Sequence, residues 1–355
     1  MRVAIRAIEH YLPETVVTNA DLASQFPGWS VEKIEGKTGI LERHVTRPGE
    51  CASDLAYRAT QSLFESGACS PGDIDYLLLC TQSPDYFLPT TACLLQDRLG
   101  IPTTAGALDF NLGCSGFIYG LGLAQGLIET GQASRVLLIT AETYSKFIHP
   151  QDKSVRTLFG DAAAVTLLEA VPGDGDSRPA PYVFGTDGKG GSNLIVPAGG
   201  LRTPASPGSE RPVCDENGNW RSQDNLFMNG AEIFNFTIRA IPGCVNQLLR
   251  RANRRIEEVD FFVFHQANQY MLEHLRKKLA IPREKFCLCL SHCGNTVSST
   301  IPIALKHAAC EGRLQPGGLV MLVGFGVGYS WGATFLRWPM LGTQENPVAP
   351  AFFAS

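Results

Sequence analysis

A chain of 355 residues with 44% hydrophobic content and 36 glycines can bury a large core with many tight connections, as one long domain or two closely packed halves. Its formal net charge of −4 supplies no global field for nucleic acid or an anionic membrane, and no apolar run is long enough for a membrane span. The 11 cysteines lack regular spacing, which favours free thiols in a reducing cytoplasm over a disulfide framework.

The opening MRVAIRAIEHYLP reads as a strand and turn, without the apolar stretch and cleavage site of a signal peptide. A helix pattern in DLAYRATQSLFESG (54–67) precedes the strand IDYLLLC (74–80) and a helix ending LLQDRLGIP (94–102). ALDF (107–110) then leads into the helix GFIYGLGLAQGLIETG (116–131), and the strand RVLLIT (135–140) follows. The segment 197–220, PAGGLRTPASPGSERPVCDENGNW, is dense in Gly, Pro, Ser and charge and predicts an irregular excursion, either a surface loop or a flap over a substrate entrance.

After it the same script repeats. FTIRAIPGCVNQLLRRAN (236–253) precedes VDFFVFH (259–265) and a helix ending HLRKKLAIP (274–282). KFCLCL (285–290) leads into TIPIALKHAACEG (300–312), and LVMLVGFG (319–326) follows. Matching order, spacing and LxIP endings indicate a fused duplication, with halves 1–172 and 173–355. Apolar strands alternating with helices predict an α/β fold with sheets covered by helices on both faces.

Three polar residues fall at equivalent strand ends, where α/β sheets commonly place active sites. Cys114, in DFNLGCSGFIYGLG, lies between a strand and a helix start, where backbone N–H groups and the helix terminus favour a thiolate. Gly113 and Gly116 are expected to admit close approach of backbone and substrate. His265 ends an apolar strand, and Asn295 sits in the turn CGNTVSSTIP. Alone, each has a plainer reading, as a buried small residue, a satisfied core histidine and a turn residue. Together they make a kit for covalent acyl transfer and enolate stabilisation. CLCLSHC (287–293) fits a packed strand better than a metal site, since its spacing matches no zinc pattern, and no metal is expected. GFGVGYSWG (324–332) lacks the lysine of a phosphate loop and reads as a tight turn lining the site.

At these residues the sequence resembles the β-ketoacyl–acyl-carrier-protein synthase III family of thiolase-superfamily condensing enzymes. The likeness runs from YLPETVVTNADL (11–22) and KTGILERH (37–44), through CSGFIYGL (114–121) and FGDAAAV (159–165), to HQAN (265–268), GNTVSSTIP (294–302) and GFGVGYSWG (324–332). The resemblance implies a thiolase-like fold, with duplicated α/β halves packed as five αβαβα layers. It further implies acylation of Cys114, an oxyanion hole from the Cys114 N–H and one in the 326–328 turn, and decarboxylative condensation at His265 and Asn295. No permanently bound cofactor is implied; acyl-CoA or acyl-ACP and malonyl-ACP serve as substrates, with Lys33, Thr38, Lys153 and Asn268 toward the thioester carrier.

The chain departs from the family at several of these positions. Lys33 and Lys153 replace a Trp and an Arg that hold the coenzyme A adenine, Tyr270 replaces an arginine used on carrier protein, and Val327 replaces a glycine. Arg276, Lys277 and Lys278, with Arg250, Arg251, Arg254 and Arg255, form either a basic dock for an acidic carrier protein or solvated helix faces. The segment 81–96, TQSPDYFLPTTACLLQ, either caps its own subunit or, as the resemblance implies, packs at a homodimer interface with Tyr86, Phe87 or Leu88 reaching the partner's acyl tunnel. Two other functions compete: transfer of the Cys114-bound acyl group to an amine, hydroxyl or other acyl acceptor, and a non-enzymatic scaffold in a biosynthetic complex.

Overall fold

The computed structural model describes residues 2–26, 28–172 and 180–338. Strands β1 (Arg2–Tyr11), β2 (Tyr76–Cys80), β3 (Gly106–Phe110), β4 (Arg135–Glu142) and β5 (Ala162–Val171) form a sheet in the order β1-β5-β4-β2-β3. Strands β6 (Tyr182–Thr186), β7 (Phe261–Phe264), β8 (Leu319–Gly326) and β9 (Ser330–Arg337) form a second, in the order β7-β8-β9-β6. Read from β6, the second sheet repeats the first: two antiparallel pairings, then a parallel one. The fold is therefore an internal duplication, as the repeated script predicts.

One expected strand is nearly absent. KFCLCL contributes only a parallel bridge, Phe286 to Phe262, in the position that β3 holds in the first sheet. The ladder starts with the Cys287 N–H donating to the Phe262 carbonyl, but the Gln266 side chain takes the Cys289 N–H and the pairing stops.

Helices α1 (Val31–Thr38), α2 (Ala52–Glu65), α3 (Gly116–Glu129), α4 (Gly230–Ala252), α5 (Gln269–Lys278) and α6 (Thr300–Cys310) set the layers. The apolar stripe of α2 packs with the outer face of the first sheet, through Leu55, Ala59 and Leu63 against Leu77, Leu137 and Val165. On the other side, α4 and α5 cover the second sheet through Val245, Leu248 and Leu272 against Phe262, Met321 and Val323. Between the sheets lie α3 and α6, which supply Phe117, Ile118, Ile301 and Leu305 to one core with residues of both, such as Leu138 and Val320. These are the five layers. The central helices are largely apolar, with Lys306 and His307 of α6 and Gln125 and Glu129 of α3 on their outer edges, and both begin at the polar turns that carry Cys114 and Asn295. Among the described residues no helix is long and apolar enough to cross a membrane. The expected division at 172/173 falls after β5, and residues 173–179 lie outside the described residues.

The 197–220 excursion is built rather than plain loop. Val213–Cys214 pairs with Trp220–Arg221, and Arg221 bridges Asp152 and Asp215, both at 2.8 Å. This fastens the hairpin to the 151–153 segment, while Ala198, Gly199 and Gly200 line a large cavity.

Candidate active site

Cys114, His265 and Asn295 line one cavity of about 70 Å³, together with Phe159, Leu194, Met228, Asn268, Phe325 and Gly326. Each arrives by a strand end or turn. Cys114 precedes α3 by two residues and is buried. The end of β8 passes close beside it: a Cβ on Gly326 would stand 2.7 Å from Cys114 Cβ and 2.8 Å from Sγ, so only glycine fits. His265 follows β7, its N–H donating to the Val323 carbonyl at 2.8 Å. Its Nδ1 lies 2.7 Å from the Thr300 hydroxyl, and the edge of its ring meets Phe325.

Asn295 is held by both halves. Its N–H donates to the Leu158 carbonyl at 2.9 Å, and its carbonyl accepts from the Gly160 N–H at 3.1 Å. Gly294, at φ 69°, lets this contact close, since a Cβ there would lie 2.8 Å from the Leu158 carbonyl. The Val297 N–H donates to Asn295 Oδ1 at 3.0 Å, which turns the amide so that Nδ2 is left as the free end. Val297 takes φ 56° to do so, a left-handed conformation that a β-branched residue adopts only under constraint.

Burial dominates the electrostatics. It holds His265 down at about 3, so the ring is neutral at any ordinary pH. The Cys114 thiol is pushed up to about 12, first by burial and then by Glu142, against the pull of the Cys114 and Val327 N–H groups on the sulfur. This reverses the thiolate expected from the helix start alone. Gly113 and Gly116 also serve a different end: they make room for Gln82 with Val327 and for Cys80.

A second cavity of about 820 Å³ shares Leu194 with the first. Val327, Gln82, Tyr144, Phe147, Val196 and Leu226 are among its walls, and Tyr86 and Phe87 stand at its outer side.

Two matches span the site. Residues 108–188 match the 3-oxoacyl-[acyl-carrier-protein (ACP)] synthase III family, and residues 249–338 match its C-terminal part. A β-ketoacyl-[acyl-carrier-protein] synthase III of Caldanaerobacter subterraneus subsp. tengcongensis is 37% identical across 92% of this chain and 95% of its own. The chain belongs to this family. It is accordingly a condensing acyltransferase. A β-ketoacyl-[acyl-carrier-protein] synthase III 3 of Streptomyces coelicolor is 39% identical over 92% of this chain and 95% of its own. A crystal structure of a 3-oxoacyl-(acyl-carrier-protein) synthase III superposes with TM-score 0.93 at 53% identity, over 95% of this chain and all of that one.

Of the four residues expected toward the carrier, only Asn268 lines the Cys114 cavity, and its side chain also caps α5 by accepting from the Met271 N–H at 2.8 Å. Thr38 is buried, donating to the Ile34 carbonyl and accepting from the Ile40 N–H. Lys33 donates to the Gly28 carbonyl and lies over Trp29, as does Lys37. Lys153 donates to the Asn217 carbonyl of the hairpin at 2.5 Å. The basic helix is also less free than its sequence suggests. Arg276 is forked onto Glu273 and the Ile281 carbonyl, Lys278 donates to the Ile238 carbonyl, and Arg251 donates to the Tyr182 carbonyl. Tyr270 is exposed and packs on Phe234.

Among the described residues no group of three or more His, Cys, Asp or Glu side chains is placed to hold a metal ion. In CLCLSHC, Cys293 points to the Cys289 carbonyl and His292 meets Glu42. Sequence reasoning missed Thr300, Val297 and Glu142. The first two lie inside the GNTVSSTIP run. Glu142 left one signal, a charge ending an apolar strand that the duplication equates with β8.

Proposed function

We propose that this enzyme carries an acyl group on Cys114 and condenses it with a malonyl thioester to give a β-ketoacyl thioester. The observation that supports this most is the single cavity shared by a buried thiol, a neutral imidazole and a carboxamide with its amine end free. In the first step the Cys114 sulfur gives up its proton and attacks the carbonyl carbon of an acyl thioester. The carrier thiolate leaves and takes up a proton. The Cys114 and Val327 N–H groups, already directed at the sulfur, are the donors for the tetrahedral oxyanion.

In the second step His265 and Asn295 donate to the malonyl thioester carbonyl. The bond to the carboxylate breaks, carbon dioxide leaves, and the electron pair moves to an enolate. Two neutral donors stabilise that oxygen without a counter-charge, and each typically supplies about 2.7–4 kcal/mol. The enolate carbon then bonds to the acyl carbon and expels the Cys114 thiolate. For His265 to donate, Nε2 carries the proton, and the Thr300 hydroxyl, 2.7 Å from Nδ1, turns its single proton to that nitrogen rather than to the Val297 carbonyl 3.0 Å away.

Asn268, Lys33, Lys153 and Thr38 belong to the carrier side in this reading, with Asn268 nearest the chemistry and the others shaping the approach. An acyl carrier protein is the expected partner, with coenzyme A thioesters as the alternative donors. Residues 1–172 and 173–355 are the two functional halves, one bringing the nucleophile and the other the decarboxylation pair. A homodimer is supported by Tyr86, Phe87 and Leu88, exposed by 62%, 81% and 82%, and by the apolar groove of Leu123, Tyr119 and Phe184 beside edge strand β3. A cytoplasmic setting is supported by 11 unpaired cysteines.

Intact-mass spectrometry after exposure to a panel of acyl thioesters tests the first step. A single acyl adduct that Cys114→Ala abolishes is expected; an undiminished adduct in that variant would overturn the assignment.

A further inference from the structure

We propose that Glu142 is a positioning residue of the condensing reaction: its buried carboxyl ties the two halves together behind Cys114, and negative charge on it opposes the Cys114 thiolate. The proposal rests on Cys114 being the nucleophile.

Glu142 ends β4 and is fully buried, a costly place for a carboxylate without a cation. Its partners are all neutral. The Ser298 hydroxyl lies 2.8 Å from Oε1, where it can accept the acid's proton or donate to the carboxylate; the Gln82 N–H donates to Oε2 at 3.0 Å, with the Ser83 hydroxyl at 3.4 Å. These bonds join three pieces of the site. Ser298 lies in the turn that carries Asn295 and Val297. Gln82 walls the large cavity, accepts from the Tyr144 hydroxyl and donates to Asn111. Ser83 in turn accepts from the Thr143 N–H at 2.9 Å. A carboxyl at this junction fixes the acyl side and the decarboxylation side relative to each other.

Its charge reaches the nucleophile. The titratable groups around Glu142 are Cys80 at the end of β2, Cys114 before α3, Tyr144 just beyond β4, and Asp161 before β5, and every one is an acid. An ionised Glu142 therefore has only like charges to meet, and no described side chain forms an ion pair with it. Burial raises its own ionisation to about 8, which leaves it protonated at neutral pH and makes Cys114 sensitive to the pH range just above.

The test is alkylation of the full-length protein by iodoacetamide, resolved by peptide mass spectrometry so that exposed Cys93, Cys214 and Cys310 are counted apart. Wild type, Glu142→Gln and Ser298→Ala are compared from about pH 6 to 10. In wild type the Cys114 rate should climb less steeply once pH passes about 8, where Glu142 ionises. Glu142→Gln should lose that bend and react about tenfold faster near pH 9, the effect of one pKa unit on thiolate content. Ser298→Ala removes a donor that favours the ionised carboxylate, so its bend should move to higher pH. It also carries the test if the Gln variant does not fold. Superimposable profiles, or a Gln variant slowed by one factor at every pH, would overturn the proposal. Alkylation needs neither acyl nor malonyl substrate, so a failed condensation assay leaves this result standing.

Discussion

Thr300→Val removes one hydroxyl and little else, and it separates the two half-reactions. Thr300 and His265 are each 2% exposed, and valine preserves the shape of the packed side chain. What is lost is the 2.7 Å contact to His265 Nδ1, to which the hydroxyl gives its single proton in preference to the Val297 carbonyl 3.0 Å away. Valine offers no donor in its place, so a buried ring nitrogen loses its partner at a cost of about 1–3 kcal/mol. The ring is then free to move its proton to Nδ1, leaving Nε2 bare toward the malonyl carbonyl. If the whole cost falls on the decarboxylation transition state, the rate drops by about 5- to 150-fold. Acylation of Cys114 does not use His265 as a donor and should change by less than about threefold. Intact mass follows the acyl adduct, and labelled carbon dioxide from a malonyl thioester follows the second step. Thr300→Ser should recover most of the lost rate. Equal slowing of both steps, or unchanged carbon dioxide release, would refute the tautomer argument.

Other outcomes follow from the same geometry. Gly326→Ala sets a methyl 2.7 Å from Cys114 Cβ and should cost about 1–3 kcal/mol of stability in chemical denaturation, with acylation largely lost. Phe87→Asp should convert a dimer to a monomer in sedimentation velocity, because it places a charge in the exposed Tyr86–Leu88 patch; a monomeric wild type at micromolar concentration would contradict the interface. His10 and His265 have folded values of about 4 and 3, below the unfolded 6.5, so the unfolded chain binds their protons first as pH falls. Their contribution to stability is whole above 6.5 and is lost toward those values. Denaturation should show a loss of about 3 kcal/mol between pH 6.5 and 5, shared about equally by the two, and His10→Asn should halve it. For the same reason, carbon dioxide release should show no acid limb near pH 6.5.

The sheets and the duplication were legible because β2, β4, β7 and β8 are buried on both faces and read as unbroken apolar runs. The three site residues were legible because each interrupts such a run or follows it in a glycine-bearing turn. Features set by three-dimensional neighbours were not. Glu142 looks like a solvated strand end, and only the fold shows Ser298 from the other half bound to it. The thiolate expected of Cys114 came from the helix start, whereas enclosure between β8 and α3 outweighs that effect. KFCLCL has a strand's alternation, yet a glutamine side chain caps its ladder after one bridge. Arg276 looked free, but a glutamate one helical turn earlier holds it.

The central claim is that one cavity performs acyl transfer and decarboxylative condensation in sequence. Purified enzyme first loaded with an acyl group and freed of donor, then given malonyl-ACP labelled in its carboxylate, tests it most directly. The account predicts one labelled carbon dioxide per acyl group discharged from Cys114, with a β-ketoacyl thioester two carbons longer as product, and neither from Cys114→Ala. Discharge of the acyl group to an amine or hydroxyl acceptor without carbon dioxide release would contradict it.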